Sequence, residues 1–315
     1  MALITGEMWD IETALTVHYP SPDILFATGQ AYGWAIVAPG NVWADTAGTI
    51  PGMVGQPILR LDNERGDPWL ATNGPIYRSA DGIHWLEFGH TLMRILSATV
   101  PAITNGTVVM AHKTAGVLTG NVTIPAGSYG FGGWTNHGIV GFMLINRDLS
   151  QSEREQVRQW YTTERGAGSF DGVTSFYRLG RALKLTSVDL FNTSSATDFS
   201  EFLYDNRLTS IPLFNTSSGI YFTNFAGANP QLTTVPAGLF DNVKGTTFTN
   251  AFLNCALTQQ SVDNVLVSIA TAAAANNLNN GTLTGLNSGT NAAPSATGVA
   301  AKNALIARGW TVTTF

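Results

Sequence analysis

The chain carries one cysteine, Cys255, in 315 residues. That excludes an internal disulfide framework and a multi-cysteine metal cluster. Charge is also scarce. Asp, Glu, Lys and Arg together make up 12%, with a net charge of -5, against about 25% in an ordinary globular chain. No run of Lys or Arg exists, so no nucleic-acid stripe or polybasic membrane patch is expected. No stretch approaches the roughly 20 consecutive apolar residues of a membrane helix. The opening Met1–Glu7 has no basic segment followed by an apolar one, so no secretory signal is expected.

Glycine, at 33 residues, fills the space that charge leaves, together with many Thr, Ser and Asn. These residues favour turns, strands and bonds from side chain to backbone over helix. With 44% apolar residues, the chain can bury a core. Its length suits two domains of roughly 150 residues each. The expected class is mainly β, with polar but uncharged surfaces that suit other chains or neutral ligands.

The second half repeats. Leu185-Thr186-Ser187-Val188-Asp189-Leu190-Phe191-Asn192 aligns with Leu208-Thr209-Ser210-Ile211-Pro212-Leu213-Phe214-Asn215, and then with Leu232-Thr233-Thr234-Val235, which leads to Phe240 and Asp241. The leucine starts lie 23 and 24 residues apart, and Leu257-Thr258 follows after 25 more. Phe176, Phe199, Phe222 and Phe248 keep step, and so do Phe170, Phe191, Phe214 and Phe240. One coil cannot bury its own Leu and Phe, whereas stacked coils bury them against each other. A solenoid is therefore predicted. Each Leu-Thr-Ser-Ile segment alternates like a half-buried strand. Asn192, Asn215 and Asp241 stand where bends need backbone partners, and Pro212 and Pro236 sit near strand ends.

The signature L-T-S-I-P-x-x-L-F-x, then T-x-F-x-x-x-F, over residues 170–257 resembles the BspA-like class of leucine-rich repeats. Cys255 fills the place where that class often carries cysteine, and Asn206 and Asn229 stand nearby in the other coils. Residues 258–315 read as a cap for the open end. Val262, Val265, Leu266 and Ile269 mark a helical stripe, and Thr282–Leu286 a short strand. A second helix runs from Pro294 to Ala307, with Gly309 closing it, and 310–314 is a last strand. Helix, strand, helix and strand ending in A-R-G-W-T-V-T resemble the end cap of such repeats in bacteriophage virion proteins.

The first half does not repeat. Short strands are predicted at Ile36-Val37, 58–61, 85–88, 107–110 and 139–145. A helix begins at Ser150, with Glu153 completing a capping box. It carries Val157, Trp160 and Tyr161 on one face with Leu149 and ends at Gly166. The segments V-W-A-D-T-A-G-T-I-P-G-M-V-G-Q-P-I-L-R-L-D (42–62), G-P-I-Y-R (74–78), W-L-E-F-G (85–89) and G-F-M-L-I-N-R-D-L-S-Q-S-E-R (141–154) resemble the concanavalin-like, laminin-G-like domains of phage virion proteins. The resemblance implies a two-sheet jelly roll. Residues 90–138 are too few for its full set of central strands, which implies a sandwich trimmed there or completed by another chain. The expected organisation is an N-terminal arm or first strand (1–20), a concanavalin-like sandwich ending in a helix (21–168), the solenoid (169–257) and an α/β cap (258–315).

No catalytic constellation is legible. Asp62, Glu64 and Asp67 form the densest carboxylate group. They read as a solvated turn and as a weak calcium candidate, because oxygen ligands are there without the D-x-D-x-D-G spacing. The E-x-D-x-x-E strand of concanavalin-like glycosidases is absent. His18, His84, His90, His112 and His137 form no H-x-x-x-H pair. Gly130-Phe131-Gly132-Gly133 reads as a strand bend. Cys255 is expected inside the repeat core. Trp34, Trp43, Trp69, Trp85 and Trp134 read as packing rather than as sugar platforms. Trp134, Asn136 and His137, beside that glycine stretch, are the best exposed-contact candidates. The two resemblances together imply a non-enzymatic structural protein of a tailed bacteriophage particle that needs no cofactor. A tail fibre, spike or other adsorption appendage is expected first, a capsid decoration or head-fibre subunit second, and a carbohydrate-active enzyme is the third and last alternative. The implied partners are other virion proteins and a host-surface glycan or protein. A homo-oligomer is expected, with a trimer by analogy.

Overall fold

A computed structural model describes residues 31–62, 67–88, 95–132 and 137–315. The protein is mainly β. Strands β1 (Ala31–Ile36), β2 (Val42–Trp43), β3 (Arg60–Leu61), β4 (Trp69–Leu70), β5 (Ile76–Ala80) and β6 (Ile83–Glu87) precede β7 (Ile95–Val100), β8 (Ile103–His112), β9 (Gly116–Ile124), β10 (Gly127–Gly132) and β11 (Ile139–Ile145). They form two antiparallel sheets. One runs β5-β6-β11-β8-β9, with β1 also on β11, and the other runs β10-β7-β4-β3-β2. The sheets meet through aromatic rings. Phe131 of β10 stacks on Phe142 of β11 at 4.2 Å, and Trp69 of β4 meets both edge-on at 4.9 and 5.2 Å.

Residues 95–132 hold four strands. Gly130 and Gly132 are no bend, because β10 keeps regular register with β7, Gly130 opposite Ser97 and Phe131 opposite Leu96.

Helix α1 (Gln151–Arg165) covers the outer face of the first sheet. Ser150 and Glu153 form the capping box, and Gly166 closes the helix at φ 66°. Val157, Trp160 and Tyr161 are buried against Trp34, Val109 and Met143. Gly141 of β11 makes room for this packing, since a Cβ there would lie 2.3 Å from Tyr161.

Beyond Gly168 the chain returns to itself at intervals of 23, 23 and 26 residues. Ser175 bridges Asp198, Asp198 bridges Tyr221 and Tyr221 bridges Thr247, each in parallel. The amides of Phe176, Phe199 and Phe222 donate to the carbonyls of Asp198, Tyr221 and Thr247 at 2.7, 2.8 and 2.9 Å. The rings follow the backbone. Phe199 stacks on Phe222 at 5.2 Å and 4°, and Phe222 on Phe248 at 4.7 Å and 3°. All four phenylalanines are 0% exposed, as are Leu185, Leu208 and Leu232, with Leu257 at 1%. Burying one such side chain contributes about 1.5–3 kcal/mol.

The leucine side of each coil is less regular than the alternation predicts. Leu185 and Ser210 make single bridges, to Val122 and Thr234, and no extended strand forms among 169–245. Pro212 and Pro236 withhold amides there. Left-handed residues also recur in the coils, at Arg178, Glu201, Asn224 and Asn250, and at Ala182, Asp205, Ala228 and Asn254. A polar ladder compensates. Asn206 Oδ1 accepts from the amide of Leu185 at 3.0 Å, Asn229 from Leu208 at 3.1 Å and Asn291 from Leu257 at 2.9 Å. Between the last two stands Cys255, whose Sγ donates to the Ala226 carbonyl at 3.3 Å. At the bends Asn192 and Asn215 accept from the amides of Ser194 and Ser217, both at 3.1 Å.

The ladder continues past the coils. β12 (Thr247–Phe248) pairs in parallel with β13 (Thr282–Leu286), and β13 with β14 (Thr311–Thr314). Helix α2 (Gln259–Ala275), capped by Thr258, buries Val262, Val265, Leu266 and Ile269 against the last coil, and α3 (Ala296–Ala307), capped by Ser295, lies beside it.

Candidate functional site

The two halves meet along β9, an end strand of its sheet. The amide of Thr186 donates to Asn121 at 2.8 Å and that of Asp189 to Thr119 at 3.1 Å. Gly120 permits this approach, since a Cβ there would lie 2.3 Å from the Ser187 carbonyl. Ion pairs close the junction. Arg154, 6% exposed, donates from Nε to the Leu149 carbonyl at 2.8 Å, from Nη1 to Asp189 at 3.0 Å and from Nη2 to Asp148 at 2.5 Å, and it also bonds Asn121. Arg158 adds bonds to Asp189 and Thr119. A buried guanidinium is tolerable only when its donors are met in this way. Beside the junction lies an open cleft of about 300 Å³ between α1 and the first coil, lined by Glu155, Arg158, Thr162, Phe170, Leu190 and Phe191.

Two histidines face each other at the same junction, their ring centroids 6.1 Å apart. His112 is fully buried. Its Nδ1 meets the Gly116 carbonyl at 3.1 Å, so Nδ1 carries the proton, and Nε2 has no hydrogen-bond partner. Burial, then the neighbouring His137, pushes its pKa down to about 3. His137 donates from Nε2 to the Ser175 carbonyl at 3.0 Å and receives the Thr114 hydroxyl at Nδ1, also 3.0 Å. Burial lowers its pKa too, opposed by the bond to Ser175. His137 therefore ties the sheets to the first coil instead of standing out as an exposed contact. Trp134 and Asn136 lie outside the described residues.

Asp62 accepts from Arg60 Nε at 2.6 Å and from Trp43 Nε1 at 2.7 Å, and Asp67 is exposed. Glu64 lies outside the described residues. Among the described residues no group of three His, Cys, Asp or Glu stands close enough to hold a metal ion. Trp34 and Trp69 are buried, at 3% and 0% exposure, and Trp43 and Trp85 are half-buried. Burial pushes the Cys255 thiol up to about 12, the opposite of what a reactive cysteine needs. No helix among the described residues is long and apolar enough to cross a membrane.

What the sequence reading misses is the outer surface of the parallel ladder. Thr247-Phe248-Thr249, Thr282-Leu283-Thr284 and Thr311-Val312-Thr313 stand in register, each packing one apolar residue on the core between two threonines, of which the Thr313 hydroxyl is buried. The signal is the triplet Thr-apolar-Thr, whose copies are separated by helices α2 and α3 and so escape a search for a fixed interval. The chain matches no family model, no curated protein and no solved structure.

Proposed function

We propose that this chain is a structural subunit of a tailed bacteriophage particle, built from a jelly-roll-like sandwich and a short leucine-rich-repeat solenoid with an α/β cap. The leading role is that of an adsorption appendage, such as a tail fibre or spike, that holds a recognition surface toward the host. The observation that carries this reading is the closure of the coil stack at both ends. Its first coil is bonded to β9 and to Arg154, and its last is covered by α2, β13 and α3. A stack closed in this way presents its lateral faces, which is the form of a display scaffold. Partners are then other virion proteins and a host-surface molecule, and no catalytic step or cofactor enters the role.

A head-decoration role is the second reading. It is favoured by the apolar loop of the two-sheet half, where Ile50, Met53 and Val54 are 57%, 66% and 55% exposed. Such a patch fits a grip on a neighbouring subunit. Gold-labelled antibody on intact particles tests both. Label at the tail tip, with adsorption blocked by the same antibody, supports the appendage. Label spread over heads supports decoration. Particles that carry no label contradict both.

A further inference from the structure

The parallel ladder carries two lanes of side chains on its outer side, with the Thr313 hydroxyl buried at the end of the second. One lane holds Ser175, Asp198, Tyr221, Thr247, Thr282 and Thr311, and the other, two residues further on, holds Tyr177, Ser200, Thr223, Thr249, Thr284 and Thr313. The lanes differ along their length. Toward the two-sheet half they run beside Arg178, Arg181 and Glu201, which are ion-paired. From Tyr221 onward neither lane contains a formal charge.

Most hydroxyls of this uncharged stretch are not used to hold the fold, the exception being Thr284, whose Oγ1 accepts from the Asn250 amide at 3.0 Å. Elsewhere they are. Thr197, Thr233 and Thr258 each donate to a carbonyl of the preceding coil, at 3.1, 3.2 and 3.3 Å. By contrast, among the described residues the side chains of Thr223, Thr247, Thr249, Thr282 and Thr311 bond to no protein atom, and Thr313 Oγ1 is buried with no partner. A strand-bearing surface spaces these groups at about 4.8 Å between rungs and about 6.7 Å along a strand. Each threonine adds a methyl group beside its hydroxyl. Tyr221 stands at the head of the stretch with 52% of its surface exposed, next to Ile220 at 37%.

We infer that the face formed by Tyr221, Thr223, Thr247, Thr249, Thr282 and Thr311 binds an uncharged glycan chain laid across the strands. Hydroxyls both donate and accept, so a row of them matches sugar hydroxyls without leaving either side unmet. No ion has to be stripped of water on the protein side, and no cation is supplied to a polyanion. Tyr221 offers a flat apolar face with a polar tip, the chemistry that receives the C–H face of a sugar ring. The inference deepens the proposed role by naming what the displayed surface takes. Its source would be the host envelope.

Affinity electrophoresis of the full chain tests it, with gels containing dextran, mannan or galactan, and hyaluronate as the anionic comparison. At least one neutral polysaccharide is expected to slow the protein, and hyaluronate is not. Tyr221→Ala should weaken that binding about tenfold. Thr247→Val with Thr282→Val, which keeps shape and branching, should weaken it too, while Thr234→Val on the leucine side should not. Melting temperatures close to the parent's show that the variants are folded. Mobility unchanged in all three neutral gels, equal slowing by hyaluronate, or full binding by the folded variants would overturn the inference. Binding without presence on particles would remove the virion reading alone, and presence on particles without binding would remove this one alone.

Discussion

Arg154 of α1 reaches Asp189 of the first coil at 3.0 Å, across 35 residues of chain. The bond joins the helix that ends the two-sheet half to the coil that begins the stack. Asp189 also receives Arg158 and the Thr119 hydroxyl, so one carboxylate gathers the helix, β9 and the coil.

Removing that carboxylate leaves a largely buried guanidinium with the half-exposed Asp148 as its remaining counter-charge and its Nη1 donor unmet. Asp189→Ala is expected to cost about 3 kcal/mol, read as a lower midpoint in urea unfolding. Glu155, half-exposed beside Arg158 at 53%, is the comparison, and Glu155→Ala should cost less than about 1 kcal/mol. Equal losses in the two variants would mean that Asp189 does not carry the junction.

Phe222 lies between Phe199 and Phe248, with interplanar angles of 4° and 3°. Phe222→Ala should cost about 3–5 kcal/mol through lost burial and the cavity left behind. Leu190, 63% exposed on its coil, should tolerate alanine within about 0.5 kcal/mol. Calorimetric melting of the two variants beside the parent separates a core rung from a surface position.

The His112 side chain gives the fold an acid limit. Its folded pKa, about 3, lies below the 6.5 of a free imidazole, so the fold favours the neutral form. This contribution is complete above about pH 6.5. It shrinks by up to about 1.4 kcal/mol per pH unit as acid is added, until the folded pKa is reached. His137, also lowered, adds in the same direction. Urea midpoints measured from pH 7 to pH 4 should fall, and His112→Leu should flatten part of that fall. An unchanged slope in the variant would remove His112 from the account.

Cys255, 1% exposed with its thiol pushed up to about 12, should react with a disulfide reagent at pH 8 only as fast as the chain opens. Urea should raise the labelling rate to that of a free thiol. Rapid labelling of the native chain would place Cys255 outside the core.

Much of this fold is legible in the residues, for identifiable reasons. The phenylalanine series is visible because stacked coils must repeat what they bury. Ser150 with Glu153, and Gly309 after α3, are visible because helix ends need side-chain or left-handed partners. Strand Ile139–Ile145 is legible as a continuous apolar run. Strands β9 and β10 are not, because Gly116, Gly120, Gly127, Gly130 and Gly132 break any alternation while making room for Phe170 at Gly116 and for the Ser187 carbonyl at Gly120. The role of His137 is hidden because its partner Ser175 lies 38 residues away in a different unit. The threonine face is hidden because α2 and α3 separate its triplets in the sequence and only the β12–β13–β14 pairing unites them.

Native-state hydrogen exchange at three amides tests the central claim most directly. Phe176, Phe199 and Phe222 donate to the next coil at 2.7, 2.8 and 2.9 Å, and the rings beneath them are closed to water. Rungs held in this way should exchange together, slowed by orders of magnitude relative to an unstructured peptide and only at the rate at which the coil stack opens. Exchange of all three at unprotected rates would mean that successive coils do not lie on one another, and the proposed display role would go with it.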